Sequence, residues 1–159
     1  MNSSGMSEIE RITDQLRRAF EGDAWHGPSV REVLEGVTPE MAARKVLPDA
    51  HTIWEIILHI AAWESFVRRH LEGETLKGFT GVEDWPEVHD PSPAAWRRAA
   101  DVLVQGHLAL RQALSRFPEA RLNETVPGKE FPFYVLIHGA VQHDLYHAGQ
   151  IVLLKKAKA

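Results

Sequence analysis

The sequence predicts an all-α protein, a four-helix bundle, on three observations. Four long stretches carry apolar residues at helical spacing, each opened by a helix-start signal and the first three closed by Gly or Pro. No alternating strand pattern of convincing length and no internal repeat is present. Long connections, notably 23 to 48 and 73 to 91, separate the stretches, as in bundles that use crossovers. A chain of 159 residues with 44% hydrophobic content suffices for one domain with a sizeable core, so residues 1–159 are read as a single domain.

The elements follow in order. Ser7 and Glu10 form a capping box for the first long helix. Ile9, Ile12, Leu16 and Phe20 make its buried stripe, and Gly22 ends it. Two short extra helices are expected in the connection to the second long helix. One spans Ser29 to Leu34 and stops at Gly36; the other starts at Thr38-Pro39, with Thr as cap and Pro at the first helical position. A structured connection of this length often forms the rim of a pocket. Thr52 and Glu55 open the second long helix, which runs to about Glu72 and Gly73. Ile56, His59, Ala62, Trp63 and Phe66 share one of its faces. Residues 73 to 91, rich in Gly and Pro, read as an irregular crossover. Ser92-Pro93 opens the third long helix, whose inner stripe is Trp96, Ala99, Ala100, Leu103, Leu110 and Leu114. After a loop over 117 to 131, Pro132 suits the first turn of the fourth, which reaches about Leu154. Lys155, Lys156 and Lys158 then face the negative end of its dipole.

Composition narrows the function classes. A net charge of −4 gives no strong attraction to nucleic acid or acidic membranes, and neither is expected as a partner. The chain has no cysteine, so disulfides, thiolate ligands and a cysteine nucleophile are excluded; any thiol must arrive on a cofactor or substrate. The densest apolar run, Ile56 to Trp63, is too short to span a bilayer. Residues 1 to 6 lack an apolar signal core and are expected to be disordered or a cloning remnant. A soluble cytoplasmic protein is the expectation.

Chemistry concentrates in His143-Asp-Leu-Tyr-His147-Ala-Gly-Gln150. Histidines four apart stack on one side of a helix. At about 100° per residue, Leu136, Ala140, Ile151 and Leu154 fall in the same sector, so both imidazoles face a core. Buried ring nitrogens need partners, and a shared divalent metal ion is the obvious candidate. His59 puts a third imidazole on the apolar face of another helix, as bundle metal sites do. Three neutral nitrogens leave coordination positions open for water or substrate. His59, His143 and His147 are therefore the candidate metal ligands.

Other polar residues are weighed against blander roles. Asp144 stands about 100° around from His143 and is expected to face away from the site, so it receives no catalytic role. His107 lies on the inner stripe of the third helix as a fourth ligand, a supporting group or a satisfied core histidine. His138 falls on the side away from His143, and His70 is roughly 16 Å along the helix from His59. His89 is read as exposed, and His51 as part of the helix start. Glu55 is a possible carboxylate partner for an imidazole, with plain capping favoured. Gln150 and Tyr146 are further possible helpers, one turn beyond His147 and at the edge of that face. Trp25 and His26 are candidates for the pocket mouth, against simple turn packing. Trp54, Trp63 and Trp96 are read as core or pocket wall.

The run Ile53-Trp-Glu-Ile-Ile-Leu-His59-Ile-Ala-Ala-Trp-Glu64, followed by His143-Asp-Leu-Tyr-His147-Ala-Gly-Gln-Ile151, resembles the DinB/YfiT-like family of metal-dependent enzymes. Trp25-His26-Gly27-Pro28-Ser29 is similar to a segment found in part of that family. The resemblance covers nearly the whole chain. It implies an up-down-down-up four-helix bundle, frequent homodimers, and a divalent metal, commonly zinc or nickel, on His59, His143 and His147. It also implies heterogeneous reactions, among them transfers using a low-molecular-weight thiol such as bacillithiol or mycothiol, and thiol-dependent isomerisation. The resulting expectation is a metal-dependent hydrolase or thiol transferase acting on a small molecule held between the bundle and the 23-to-48 connection. A non-catalytic metal-bound sensor or binding module is the alternative, and a bundle with merely hydrogen-bonded core histidines is the third reading.

Overall fold

The structure is a computed structural model that describes residues 5–157. The expectation for the first residues of the chain therefore falls largely outside it, and so does Lys158. Six α-helices follow in chain order: α1 (Glu8–Glu21), α2 (Val30–Leu34), α3 (Pro39–Ala43), α4 (Ile53–Leu71), α5 (Pro93–Ser115) and α6 (Phe133–Lys156). Short 3-10 turns at Gly81–Glu83 and Glu119–Arg121 interrupt the two later connections. Among the described residues no β-strand forms; Thr125 and Pro132 make one isolated bridge.

The helix starts are set locally. Ser7, Ser29 and Thr52 each accept from the backbone N–H three residues on, while Glu10, Glu32 and Glu55 reach back to the cap N–H. Each box satisfies two donors that a helix end otherwise leaves unpaired. Thr38 and Ser92 cap α3 and α5 ahead of a Pro in the first turn. Pro132 stands one residue ahead of α6, not inside its first turn. After α4 the chain turns at Gly73 with φ 98°, a conformation in which a side chain is strained.

The four long helices supply the bundle. α4 packs against α5 and α6, and α1 packs against the same two. The short helices cover its flanks, α2 against α1 and α6, and α3 against α4. Lys155, beyond its place near the α6 dipole, donates to the Val33 and Glu35 carbonyls at 2.7 and 2.9 Å and so ties down the end of α2.

Two hydrophobic clusters fill the bundle. One gathers Phe20, Val30, Ile53, Ile57, Ile60, Leu103 and Ile151; the other gathers Ile12, Leu16, Phe66, Leu110, Phe133 and Ile137. Between them, in sequence along α4, α5 and α6, come Glu64, His107 and Asp144, all buried. No helix among the described residues is long and apolar enough to cross a membrane.

Ile57 is fully buried, so Ile57→Ala is expected to lower unfolding free energy by about 2–5 kcal/mol. Thr52→Ala removes only a cap and is expected to cost about 1 kcal/mol. Urea melts followed by far-ultraviolet circular dichroism read both, and the reverse ranking would contradict this core.

Candidate metal centre

Side-by-side packing of α4 and α6 brings His59 against the His143–His147 pair. His143 Nε2 stands 2.9 Å from His59 Nε2 and 3.1 Å from His147 Nε2. The other ring nitrogens explain this convergence. His59 Nδ1 donates to the Asp84 carbonyl at 2.6 Å, and His147 Nδ1 donates to Gln150 Oε1 at 2.6 Å. A carbonyl oxygen only accepts, so each Nδ1 carries the proton and each Nε2 of the neutral ring is a bare lone pair. His143 Nε2 holds at most one proton and cannot donate well to both neighbours. A cation between the three nitrogens satisfies all of them. The two spacings from His143 Nε2 are within a few tenths of an ångström of the separation, about 3.3 Å, that two nitrogens keep on a tetrahedral zinc ion, and all three donors lie within 4.8 Å of one another. The residues thus fit a divalent metal.

Electrostatics agree with ligand chemistry. Burial is the main cause that holds His143 down to about 3 and His147 to about 4, with the neighbouring imidazoles adding to it. Burial also lowers His59, against the opposing pull of the Asp84 backbone carbonyl and carboxylate. Neutral imidazoles are what a metal ion requires.

The crossover between α4 and α5 completes the site. Asp84 Oδ1 accepts from Trp63 Nε1 at 2.7 Å and lies 3.2 Å from His59 Nδ1. Trp85 stacks on His59 with centroids 3.8 Å apart, and His51 stacks on Trp85 at 3.5 Å. The three rings form a pile that fixes the plane of the His59 imidazole. Sequence reading missed Asp84 and Trp85, because no periodic pattern marks them. The one available signal was a large aromatic in a stretch of Gly, Pro and charge, which must find somewhere to bury its surface.

A cavity of about 450 Å³ borders all three imidazoles. Trp63, Val67, Phe131, Val135, Leu136 and Ala140 give it an apolar wall, and Tyr146, 66% exposed, stands at its edge. The cavity lies between α4, α6 and the later connections rather than under the 23-to-48 segment. Trp25 is 94% exposed, His26 is exposed, and neither borders it. Glu55 is engaged in its capping box and lies 3.7 Å from His51, not against a ring of the trio. Trp54 packs edge-on to Trp96 in the core.

Asp144 departs from expectation. It is fully buried and borders the same cavity, because α6 packs against helices on more than one side and a residue 100° off the stripe still faces inward. His107 does not join the trio. Its Nδ1 lies 2.8 Å from Glu64 Oε1, and its ring stacks on Phe20 at 3.9 Å. His70 and His138 are also outside the converging donors, and His89 is exposed.

Gln150 orients the His147 ring, so Gln150→Ala is expected to weaken zinc affinity by about 10–100-fold with helix content kept. Competition against a chromophoric chelator measures this, and unchanged affinity would remove the orienting role.

No curated protein and no solved structure matches the chain. The model of the DinB superfamily matches residues 23–151, a span that takes in His59, His143 and His147. Carrying that family's sequence signature over most of its length, on an all-helical fold with a candidate three-histidine metal centre, the chain belongs to the DinB superfamily.

Proposed function

We propose that this protein is a metal-dependent enzyme, a hydrolase or a transferase of a low-molecular-weight thiol, acting on a small molecule. The observation that carries the reading is the convergence of three Nε2 atoms at the wall of a cavity large enough for such a substrate. His59, His143 and His147 would hold a divalent ion; zinc and nickel are the metals that the family resemblance implies, and imidazole donors suit both. The chemistry such an ion supplies is Lewis-acid activation, which lowers the pKa of a ligated water or thiol.

The chain's own residues do the remaining work. Asp84 and Gln150 fix the protonated Nδ1 of His59 and His147 and so keep each Nε2 free. Trp63 holds the Asp84 carboxylate, and Trp85 holds the His59 ring. The apolar wall suits the apolar part of a substrate. Tyr146 brings a hydroxyl to the mouth. Since the chain has no cysteine, a thiol nucleophile would come with the cofactor or substrate. In the same reading the helices run up-down-down-up: α4 and α5 are side by side, and the connection between them is long enough for a crossover. The chain is further read as one cytoplasmic domain that forms a homodimer.

His59→Ala and His143→Ala are each expected to abolish metal uptake at the three-histidine centre, read by elemental analysis as the loss of the ion held there, while circular dichroism still reports a helical protein. Full metal content in both would end this assignment. In the cobalt-substituted protein, a bacillithiol-like thiol is expected to shift the visible spectrum. A silent spectrum would favour water as nucleophile, and a silent spectrum without turnover of any small electrophile would favour a binding module.

A further inference from the structure

Separate from the three histidines, a second set of donors meets in the middle of the bundle. Glu64 from α4, His107 from α5 and Asp144 from α6 are each at most 1% exposed. Their nearest donor atoms all lie within 4.8 Å of one another. His107 Nδ1 lies 2.8 Å from Glu64 Oε1, but the rest of the set is unserved. With both acids ionised, Glu64 Oε2, His107 Nε2 and both Asp144 oxygens are buried without a donor, and the Glu64 and Asp144 carboxylates lie against each other. Buried carboxylate oxygens are rarely left so, and an orphaned group calls for a bound water or ion.

We propose that Glu64, His107 and Asp144 form a second divalent-cation site beside the three-histidine centre. Charge is the first argument. Two carboxylates and a neutral imidazole sum to −2, which one dication cancels in an interior that cannot solvate them. A single water has two protons to give and would leave part of the set unpaired. Donor placement is the second argument. Three helices each send one ligand inward to one point, the way bundles assemble carboxylate and histidine metal sites. Phe20 lies flat on the His107 ring, 7° from parallel, and presets its plane.

Two carboxylate donors and one imidazole suit a harder ion than an all-imidazole set does, so Mn²⁺, Fe²⁺ or Zn²⁺ fits this site. Glu64 and Asp144 border the cavity that touches the three histidines. All three ligands are buried, so the second ion would sit behind the wall of that cavity and not in its open part.

Zinc stoichiometry tests the proposal. The full chain is saturated with Zn²⁺, desalted and measured by elemental analysis. Wild type is expected to hold two ions per chain, Glu64→Gln one, and His59→Ala one. One ion in the wild type, unchanged in Glu64→Gln, would overturn the second site. The arms also separate it from the three-histidine reading: an ion that persists in His59→Ala and is lost in Glu64→Gln belongs here alone. Should Glu64→Gln fail to fold, anomalous scattering at the zinc edge from wild-type crystals decides. A peak within reach of Glu64, His107 and Asp144 supports the site, and a single peak at the three histidines overturns it.

Discussion

A polar layer that cuts the hydrophobic core in two is the constraint on which the rest of this bundle depends. Apolar packing fills both ends, with Ile57 and Ile151 in one cluster and Leu16 and Ile137 in the other. Between them the long helices place Glu64, His107, Asp144 and His147 in the interior, with His59 close by. Such groups are costly to bury unless each finds a partner, so the layer dictates what surrounds it. Apolar clusters on either side hold the helices in one arrangement, and that arrangement sets the spacing of the polar atoms.

Orientation inside the layer comes from elements that are not part of the bundle proper. The His59 ring is placed by α4, yet its tautomer is set by the Asp84 carbonyl and its plane by Trp85, both from the crossover. His147 solves the same problem within its own helix, through Gln150 three residues on. One imidazole thus depends on tertiary structure for its protonation pattern, and the other on local sequence. A ring nitrogen already committed to a carbonyl leaves the opposite nitrogen free for a ligand, which is how hydrogen bonds at the back of a metal site tune the front.

Membership in the DinB superfamily fits this division of labour. The bundle helices supply the histidines and most of the cavity wall, while the irregular connections add Phe131 to that wall and Asp84 and Trp85 behind His59. Phe131, Val135 and Tyr146 border the cavity where it meets the surface.

Much of this was legible in the sequence. Capping boxes at Ser7 and Thr52, the Thr38-Pro39 and Ser92-Pro93 starts, and the stops near Gly22 and Gly73 are local signals, satisfied by atoms three or four residues away. The spacing of His143 and His147, and the apolar face under His59, pointed to one cluster for the same reason: helical periodicity converts spacing into direction. Periodicity failed where a helix meets several neighbours. Asp144 reads as outward on a single-stripe helix, but α6 packs against α1, α2 and α4, so it is buried. Trp25 and His26 looked like a pocket mouth because they sit in a long connection, and the structure leaves them exposed on its surface. Sequence alone therefore determined which helices form and which imidazoles share a face, because short-range hydrogen bonds and a fixed turn angle decide both. Tertiary structure alone decided that Asp84 and Trp85 reach His59 and that Glu64, His107 and Asp144 meet, because those contacts join residues from different helices and loops, whose proximity no local rule specifies.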